Sequence, residues 1–330
     1  MGKIVYLPLE HIESRYTTHM DRDILKYLED SKKEYIRVYP DIESPQTMKA
    51  GSFLDAEFTI RFKAAQLAEV ARLYREDVIV TGDIVWSSDL WHPGLPESVA
   101  YMNYFAKKDV KLRGLIHAGS FTDTDFVRDM ERWAKNFEDT LFDIADEIYC
   151  GSNFIKNDIV KKRMINPDKL VPTGFPLDKE NLKKIKVVDA SKPNILGSDL
   201  VIFSGRNVDE KQPWLFDQMK EKFKNEAIEF INTLEHNFSK EEYYNLLGRA
   251  KVVVSFALQE NFGYSVAEAV YLGCIPVLPN RLVYPELYEE QYLYNTFEEA
   301  CEKVDMAIKG DLSSPRVVSD FQHSIERWFR

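Results

Sequence analysis

Residues 255–279 read SFALQENFGYSVAEAVYLGCIPVLP, a succession of strand, polar loop, helix and strand. The first apolar run ends near Phe256, the loop contains Gly263, and helical spacing of apolar residues begins near Ser265. A second apolar run follows at Ile275. This order predicts a βαβ unit and therefore a parallel sheet. The amide groups at the start of the predicted helix favour an anion.

The same alternation extends through the rest of the chain. Further strands are predicted at 4–7, 35–39, 77–81, 112–117, 147–150, 200–204 and 227–231. Helices are predicted at 21–29, 56–74, 99–106, 125–142 and 213–224, and from Ser239, where Glu242 completes a capping-box pattern. We therefore expect an α/β protein with two Rossmann-like domains that face a cleft.

Prolines and a glycine are concentrated at residues 171–178, and a lysine-rich segment follows. This change in composition predicts the boundary between the domains. We expect an N-terminal domain at 1–178 and a C-terminal domain at 179–312. The remaining residues, 313–330, read as an amphipathic helix. This helix either packs on its own domain or crosses back to the N-terminal domain.

The composition and the net charge of the chain exclude several classes of protein. The 330 residues are 45% hydrophobic and 29% charged, which is typical of a globular chain. The apolar runs are shorter than the ~20 residues that span a bilayer. The three cysteines show no metal-ligand spacing, so we expect a cytoplasmic protein without a metal or membrane association. A net charge of −11 argues against broad nucleic-acid binding but allows local patches, such as residues 107–113 and 161–163.

Two carboxylates flank the start of the helix within the opening stretch. Glu260 precedes the helix and Glu268 lies inside it, so they are too far apart for a tight dyad. They are better placed to accept hydrogen bonds from two hydroxyl-bearing parts of one ligand, such as a sugar and a ribose.

A second segment carries cationic side chains. Gly205, Arg206 and Lys211 follow a predicted strand in the pattern G-R-x4-K. Arginine supplies a two-pronged donor for phosphate oxygens and lysine a mobile point charge, so the pair suits a diphosphate that gains negative charge as it departs.

Together these segments resemble the retaining glycosyltransferases of family 4, which have the GT-B fold. Seven residues separate Glu260 from Glu268, as in the E-x7-E signature of that family, and Gly273 and Pro276 follow. The resemblance implies metal-independent transfer from a UDP- or GDP-sugar, with no further cofactor. It assigns catalytic roles to Glu260, Arg206, Lys211 and His117. It assigns donor binding to Glu268, Gly205, Asn261, Phe262, Gly263, Tyr264 and Ser265. It thereby makes 179–312 the nucleotide-sugar-binding domain and 1–178 the acceptor-side domain.

The N-terminal loops differ from the commoner family pattern. Residues 8–19 carry mostly large side chains, at a place where many family members have a glycine-rich turn. This favours acceptor contacts, as does a polar-aromatic loop that begins at Asp83. The acceptor-side candidates are Glu10, Arg15, Tyr16, Asp89, Trp91 and His92.

The chain as a whole is similar to bacteriophage glycosyltransferases that decorate modified pyrimidines in DNA. The C-terminal portion, especially residues 280–287, is also similar to enzymes that mannosylate queuosine in transfer RNA. We therefore expect a nucleic-acid acceptor bound through a local patch, modified DNA first and transfer RNA second, in the host cytoplasm if the protein is phage-encoded. A non-catalytic nucleotide-sugar-binding protein is the alternative from another class. The sequence leaves the sugar, the nucleotide and the oligomeric state open.

Overall fold

A computed structural model describes residues 2–12, 16–42, 55–123, 125–163, 165–185, 199–205, 208–236, 238–315 and 324–330. By its internal contacts the chain divides into two compact units. We call Met1–Pro176 with Phe321–Arg330 the N-terminal unit, and Leu177–Asp320 the C-terminal unit. The corresponding boundaries predicted from the sequence are 178 and 312.

The N-terminal unit is built on a six-stranded parallel sheet with the order β2-β1-β3-β4-β5-β6. Its strands are β1 (Ile4–Leu7), β2 (Tyr35–Arg37), β3 (Ile84–Ser87), β4 (Lys111–Ile116), β5 (Glu147–Cys150) and β6 (Leu170–Pro172). Its helices are α1 (Tyr16–Asp30), α2 (Ala56–Arg75), α3 (Leu95–Ala106), α4 (Glu131–Ile144) and α5 (Asn153–Lys162), with short 3-10 turns at Phe126–Met130 and Pro167–Lys169. All residues of β1 and β3, in the middle of the sheet, are buried, whereas those of the edge strand β2 are half-buried, as expected for a parallel sheet covered on both faces.

The C-terminal unit contains a five-stranded parallel sheet with the order β11-β10-β9-β7-β8. Its strands are β7 (Asp199–Phe203), β8 (Ile228–Asn232), β9 (Val252–Val254), β10 (Ile275–Pro279) and β11 (Leu293–Tyr294). Its helices are α6 (Lys179–Leu182), α7 (Pro213–Lys222), α8 (Lys240–Arg249), α9 (Tyr264–Tyr271), α10 (Tyr284–Leu287) and α11 (Phe297–Lys309), with 3-10 turns at Asp209–Lys211, Thr233–Glu235 and Glu290–Tyr292. The capping box predicted at the start of α8 is confirmed, since both hydrogen bonds between Ser239 and Glu242 are present.

The strand predicted at 77–81 is wrong. This segment follows α2, which ends at Arg75, and forms a turn, with Asp77 in the left-handed region at a φ of 53° and Val78 donating back to the carbonyl of Leu73. The strand begins at Ile84 instead, after Asp83 has accepted the amide of Val80. The apolar residues 78–80 therefore belong to the connection between α2 and β3, because so short an apolar run does not distinguish a strand from a turn.

The last helix, α12 (Ser324–Trp328), lies in the N-terminal unit. The ring of Trp328 lies 5.6 Å from that of Trp86, and its Nε1 donates to Thr173 Oγ1 at 2.8 Å. Phe329 stacks on Tyr27 of α1. The apolar residues at the end of the chain are thus buried against the sheet and against α1. Residues 316–323, which the sequence predicts as part of the same helix, lie outside the described residues.

Candidate functional site

Each sheet contains a switch point, which is the place where successive connections lead to strands on opposite sides of the first strand. In the C-terminal unit this point lies between β7 and β9, which pair directly, with Phe203 opposite Val254. The loops that follow these strands, 204–211 and 255–263, therefore emerge side by side. Ligands of open α/β sheets bind outside the carboxyl ends of strands at such a point.

The carboxylate of Glu260 is held by the loop that follows it. Its Oε1 accepts from the backbone amides of Asn261, Phe262 and Gly263, at 3.2, 3.4 and 2.9 Å. Its Oε2 lies 3.2 Å from Nζ of Lys211, which also donates to the carbonyl of Gln259. An internal anion thus occupies the amide groups that precede α9, together with a buried ammonium group.

Gly263 is required by the conformation of this loop. Its φ of +80° lies in the left-handed region, where a side chain is strained. A Cβ there would also stand 3.4 Å from the ring of Tyr284 and 3.5 Å from Cγ of Glu260. The residue therefore turns the chain into α9 and lets the Glu260 side chain lie against the backbone.

At Gly205, by contrast, the conformation of the backbone does not require glycine. Its φ is not positive, and the one described atom within 4 Å of an added Cβ is Cγ of Lys211 at 3.9 Å. Neither backbone strain nor crowding by the described residues calls for glycine here. A glycine that the chain itself does not need is typical of a place where a ligand approaches the backbone.

Glu268 lies deeper, on α9, and is 8% exposed. Burial raises the pKa of its carboxyl group to about 7, against the opposing effects of a hydrogen bond from Tyr244 and of the Lys240 charge. The Tyr244 hydroxyl donates to Oε1 at 2.8 Å. Lys240 in turn forms an ion pair with the buried Asp178 at 3.1 Å. The site thus contains a carboxylate whose charge depends on pH near neutrality.

Hydrogen bonds connect the loop after β7 to α8 and α9, the helices that carry Tyr244 and Glu268. Tyr243, next to Tyr244, shares a hydrogen bond with Ser204 Oγ at 2.7 Å. Ser265, in the first turn of α9, donates to the Ser204 carbonyl at 3.4 Å. Sequence reasoning missed both tyrosines, because two adjacent aromatic residues on a helix have no motif that marks them as site residues.

The remaining donor-side candidates have different surroundings. Phe262 is buried, and its ring packs edge-on against Tyr264 at 4.9 Å, so these two residues shape the loop. Asn261 accepts from the amide of Gln259 at 3.1 Å. Arg206 lies outside the described residues.

In the N-terminal unit, His117 follows β4 and is half-buried. Its Nε2 donates to the Ser88 carbonyl at 2.7 Å, so Nδ1 faces the hydroxyl of Tyr16 at 3.4 Å. The ring also stacks on Phe175. Burial lowers its pKa, which favours the neutral form. Two candidates from separate parts of the sequence, Tyr16 at the start of α1 and His117 after β4, thus come together.

Asp89 and Trp91 share a loop after β3 that Lys63 holds. The ammonium group of Lys63 lies 3.2 Å from the Asp89 carboxylate and 2.6 Å from the Trp91 carbonyl. The Trp91 indole donates to the fully buried Glu138 at 3.1 Å. Glu138 also accepts from Ser120 and pairs with Arg163. Sequence reasoning missed Lys63 and Glu138, since only the fold brings them to these loops.

Two other acceptor-side candidates are buried. His92 is 1% exposed, contacts Gln66 at 3.2 Å, and has its pKa lowered to about 3, chiefly by burial. Glu10 accepts from Thr59 at 2.7 Å and is also buried. Both side chains therefore shape loops instead of facing solvent. Arg15 lies outside the described residues.

The basic patches considered for nucleic acid are largely neutralised. Lys108, Lys111 and Arg113 form ion pairs with carboxylates. Lys162 and Arg163 do the same. Across the part of the chain that the structure describes, no cluster of three metal-ligating side chains is found. Within the same part, no helix is long and apolar enough to cross a membrane.

Two parallel-sheet α/β units with these strand orders define the GT-B glycosyltransferase fold. Sucrose-phosphate synthase from Thermosynechococcus elongatus aligns with a TM-score of 0.63 at 10% identity, over 100% of this chain and 95% of that chain. The Anabaena HepE protein in complex with UDP and glucose aligns with a TM-score of 0.58 at 12% identity, over 100% and 96%. At such identities the likeness concerns the fold alone.

No protein-family model matches the chain. One curated relative is the tRNA-queuosine alpha-mannosyltransferase of Drosophila melanogaster, 36% identical over 92 residues. The match covers 28% of this chain and 23% of the relative, so this chain spans about a quarter of that protein.

Proposed function

We propose that this protein transfers a sugar from a nucleotide-sugar donor to an acceptor hydroxyl. The observation that carries the proposal is the arrangement at the β7–β9 switch point. There, Lys211, the loop amides and two separated carboxylates surround the place where open α/β sheets bind ligands. The GT-B fold and its neighbour with bound UDP and glucose support it.

In this proposal the donor spreads across the C-terminal unit. Glu268 accepts hydrogen bonds from the ribose, and Glu260 contacts the sugar. Lys211 and the amides from Gly263 to Ser265 bind the diphosphate, with Arg206 assigned beside them from its position in the sequence. A single helix N-terminus contributes only about 0.3–2 kcal/mol per charge, so the cations have to share in holding two phosphates.

The same groups account for catalysis. As the bond to the anomeric carbon breaks, negative charge grows on the departing phosphate, where Lys211 and Arg206 stabilise it more strongly than in the ground state. The family resemblance further implies retention of the anomeric configuration, with the departing phosphate helping to deprotonate the acceptor. An NMR spectrum of the product's anomeric proton tests retention.

For the acceptor, the partial relative favours a queuosine-type nucleoside in transfer RNA. A hydroxymethylated pyrimidine in DNA is the second candidate, supported by the resemblance of the N-terminal loops. Because the described basic patches are mostly paired, we expect modest, salt-sensitive binding of either nucleic acid. Labelled nucleotide sugars incubated with queuosine-containing transfer RNA and with hydroxymethylated DNA distinguish the two.

The proposed function predicts that nucleotide sugars raise the melting temperature, since a ligand that binds only the native state stabilises it. A panel of UDP- and GDP-sugars should give a shift of several degrees for one nucleotide class, with release of that nucleoside diphosphate on incubation. A shift without any release, under all acceptors, would identify a non-catalytic nucleotide-sugar-binding protein. The absence of any shift would contradict the proposal.

Three glycine variants separate ligand binding from folding. We expect Gly205→Ala to leave the melting temperature nearly unchanged and to remove the shift caused by UDP, because the methyl group stands where phosphate approaches. Gly263→Ala should lower the melting temperature, since the left-handed backbone costs of order 1 kcal/mol with a side chain.

Gly310→Ala is the matched control for Gly263. Gly310 also has a left-handed φ of +87°, with no atom within 4 Å of an added Cβ, at the end of α11. This variant should lose stability by a similar amount and keep the UDP shift. Wild-type UDP binding by Gly205→Ala would contradict the assignment of Gly205 to the diphosphate.

A further inference from the structure

Helix α3 of the N-terminal unit is apolar on two sides, and one of them is exposed. Leu95 and Val99 face the core and are buried. On the other side, Tyr101, Tyr104 and Phe105 are 63%, 78% and 62% exposed. A helix that is apolar all round is normally covered, so its exposed aromatic side is a candidate for contact with a partner.

The three exposed rings form one continuous surface, which we call the α3 ring surface. The ring centroids of Tyr101 and Phe105 lie 4.5 Å apart, and those of Tyr104 and Phe105 lie 5.2 Å apart, edge to face. At about 150–250 Å² for each aromatic side chain, roughly 300–500 Å² of it is open. A stable protein dimer buries about 800 Å² on each partner, so this surface is too small to hold a second copy of the chain by itself.

The end of α3 that carries these rings is held in place by polar contacts. The side chain of Asn103 accepts from the Tyr74 hydroxyl at 3.1 Å and donates to the Val110 carbonyl at 2.8 Å. Nζ of Lys108 donates to the Ile79 carbonyl at 2.6 Å and lies 5.6 Å from the centre of the Tyr74 ring. The rings therefore project from a fixed helix end, so binding a partner there costs little conformational entropy of the protein.

The α3 ring surface ends at an exposed cation. Residues 101–113 contain four cations and one aspartate, in a chain whose net charge is −11. Lys108, Lys111 and Arg113 form ion pairs with carboxylates. Lys107 is exposed and forms no ion pair with any of the residues that the structure describes. This lysine is therefore available to an anionic group of a partner that covers the rings.

Aromatic rings beside one unpaired cation suit an unpaired strand of nucleic acid. Bases of any sequence stack on exposed aromatic side chains, and the adjoining phosphates contact lysine. Bases in a duplex are already stacked on each other, so a duplex would gain little from the rings. A membrane surface fits less well, because helices that lie on membranes carry several cations beside their apolar face. Stacking also allows an acidic protein to hold nucleic acid with few phosphate contacts.

The α3 ring surface and the acceptor-side candidates lie at opposite edges of the N-terminal sheet. Helix α3 runs back from the carboxyl end of β3 to the start of β4, where Lys111 donates to the Asp83 carbonyl. The loops that carry Trp91 and His117 follow the carboxyl ends of the same two strands. The length of α3, about 18 Å for its 12 residues, separates the two places. A polynucleotide can contact both, whereas a free nucleoside cannot.

We propose that the α3 ring surface binds an unpaired segment of a polynucleotide acceptor, with Lys107 contacting one of its phosphates; this inference rests on the proposed transfer of a sugar to nucleic acid. Bases stack on Tyr104 and Phe105, and Tyr101 extends the surface. The contact holds the acceptor at a distance from the loops after β3 and β4 and takes no part in the chemistry. Since unpaired loops are the usual targets of RNA-binding proteins, it favours transfer RNA over duplex DNA.

Fluorescence anisotropy of labelled oligonucleotides measures this binding directly. The probes are short oligo(U) and oligo(dT) strands, which distinguish RNA from DNA, and an RNA duplex of the same length. The double variant Tyr104→Ala, Phe105→Ala should bind the single strands about 5- to 150-fold more weakly, which corresponds to the loss of one stacked base. The matched control, Tyr104→Phe with Phe105→Tyr, keeps both rings and should bind like the wild type. The duplex should bind weakly to all three proteins.

Lys107→Gly separates the phosphate contact from folding. Lys107 ends α3 with a φ of 52°, in the left-handed region that favours glycine, so this variant should melt at or above the wild-type temperature. One phosphate contact contributes about 0.7 to the slope of log affinity against log salt concentration for single strands. The magnitude of the slope should therefore fall by about this amount in Lys107→Gly. An unchanged slope would contradict the contact between Lys107 and a phosphate.

The outcomes that overturn the inference are distinct from those that overturn the proposed function. Wild-type affinity for single strands in the double alanine variant overturns the inference, and so does equal wild-type affinity for the duplex and the single strands. If the double alanine variant loses only binding to vesicles of anionic lipid, or only self-association in sedimentation, the surface serves a membrane or a second copy instead.

The UDP shift of the melting temperature, and the release of nucleoside diphosphate without nucleic acid, should be the same in every variant, because the changed residues lie on α3 and the proposed donor site lies in the C-terminal unit. A variant that keeps both and still binds single strands like the wild type sinks the inference and leaves the proposed function standing. A wild type that shows neither effect with any UDP- or GDP-sugar overturns the proposed function, and with it the description of the bound strand as an acceptor.

Discussion

Replacing Glu260 with alanine is expected to abolish sugar transfer while tightening the binding of UDP alone. In the structure its carboxylate accepts three loop amides and pairs with Lys211, so an internal anion occupies the donors that a diphosphate needs. Removing the Glu260 carboxylate frees these groups for UDP. If the competition costs UDP roughly 1.5 kcal/mol of binding free energy, the variant should bind UDP about tenfold more tightly. The same change deletes the sugar's acceptor, and we expect transfer to fall at least about 100-fold.

Calorimetric titration with UDP and with UDP-sugar measures both effects. Glu299→Ala is the matched control, because Glu299 also accepts a backbone amide, that of Asn295 at 2.7 Å, near the start of helix α11. That variant should bind both ligands like the wild type. If Glu260→Ala bound UDP more weakly than the wild type, the carboxylate would support the diphosphate site instead of competing for it.

Replacing Glu268 with glutamine is the second change with a large expected effect. An ionised acceptor contributes roughly 1.5–3 kcal/mol to a hydrogen bond, so nucleoside diphosphates should bind the variant about 10- to 150-fold more weakly. Since the pKa of Glu268 is raised to about 7 and ribose hydroxyls favour the charged form, wild-type affinity should rise with pH and level off above that value. The variant's affinity should be independent of pH in this range.

Stability should change with pH in the opposite sense. The folded carboxyl group has a higher pKa than the ordinary value near 4.3, so the native state binds more protons between about pH 4.5 and 7. The free energy of unfolding of the wild type therefore falls as pH rises through this window. Thermal unfolding at pH 5 and pH 8 should show Glu268→Gln gaining stability relative to the wild type at the higher pH. An equal difference at both values would contradict the raised pKa.

The strand–loop–helix pattern around residues 255–279 was enough to predict the parallel sheet, because buried parallel strands read as apolar runs between polar loops. Helix and strand ends were less well determined. The helix predicted at 21–29 begins at Tyr16, and 77–81 is the connection between α2 and β3. In both places local apolar spacing is compatible with more than one structure, and tertiary contacts decide.

The candidate site was predicted where sequence spacing and spatial proximity coincide. Glu260, Gly263 and Glu268 belong to one loop and helix, and Lys211 joins them because β7 and β9 are neighbours. The contact of Tyr244 with Glu268, by contrast, joins two separate helices. No spacing rule reveals such contacts, so only the fold could find them.

The most direct measurement of the central claim is a crystal structure of this protein with UDP bound. The account predicts the ribose hydroxyls within hydrogen-bonding distance of Glu268. It predicts the diphosphate against Lys211, Gly205 and the amides before α9, with Glu260 displaced from them. A nucleotide bound elsewhere, with Glu260 still holding the loop amides and no ligand near Glu268, would contradict it.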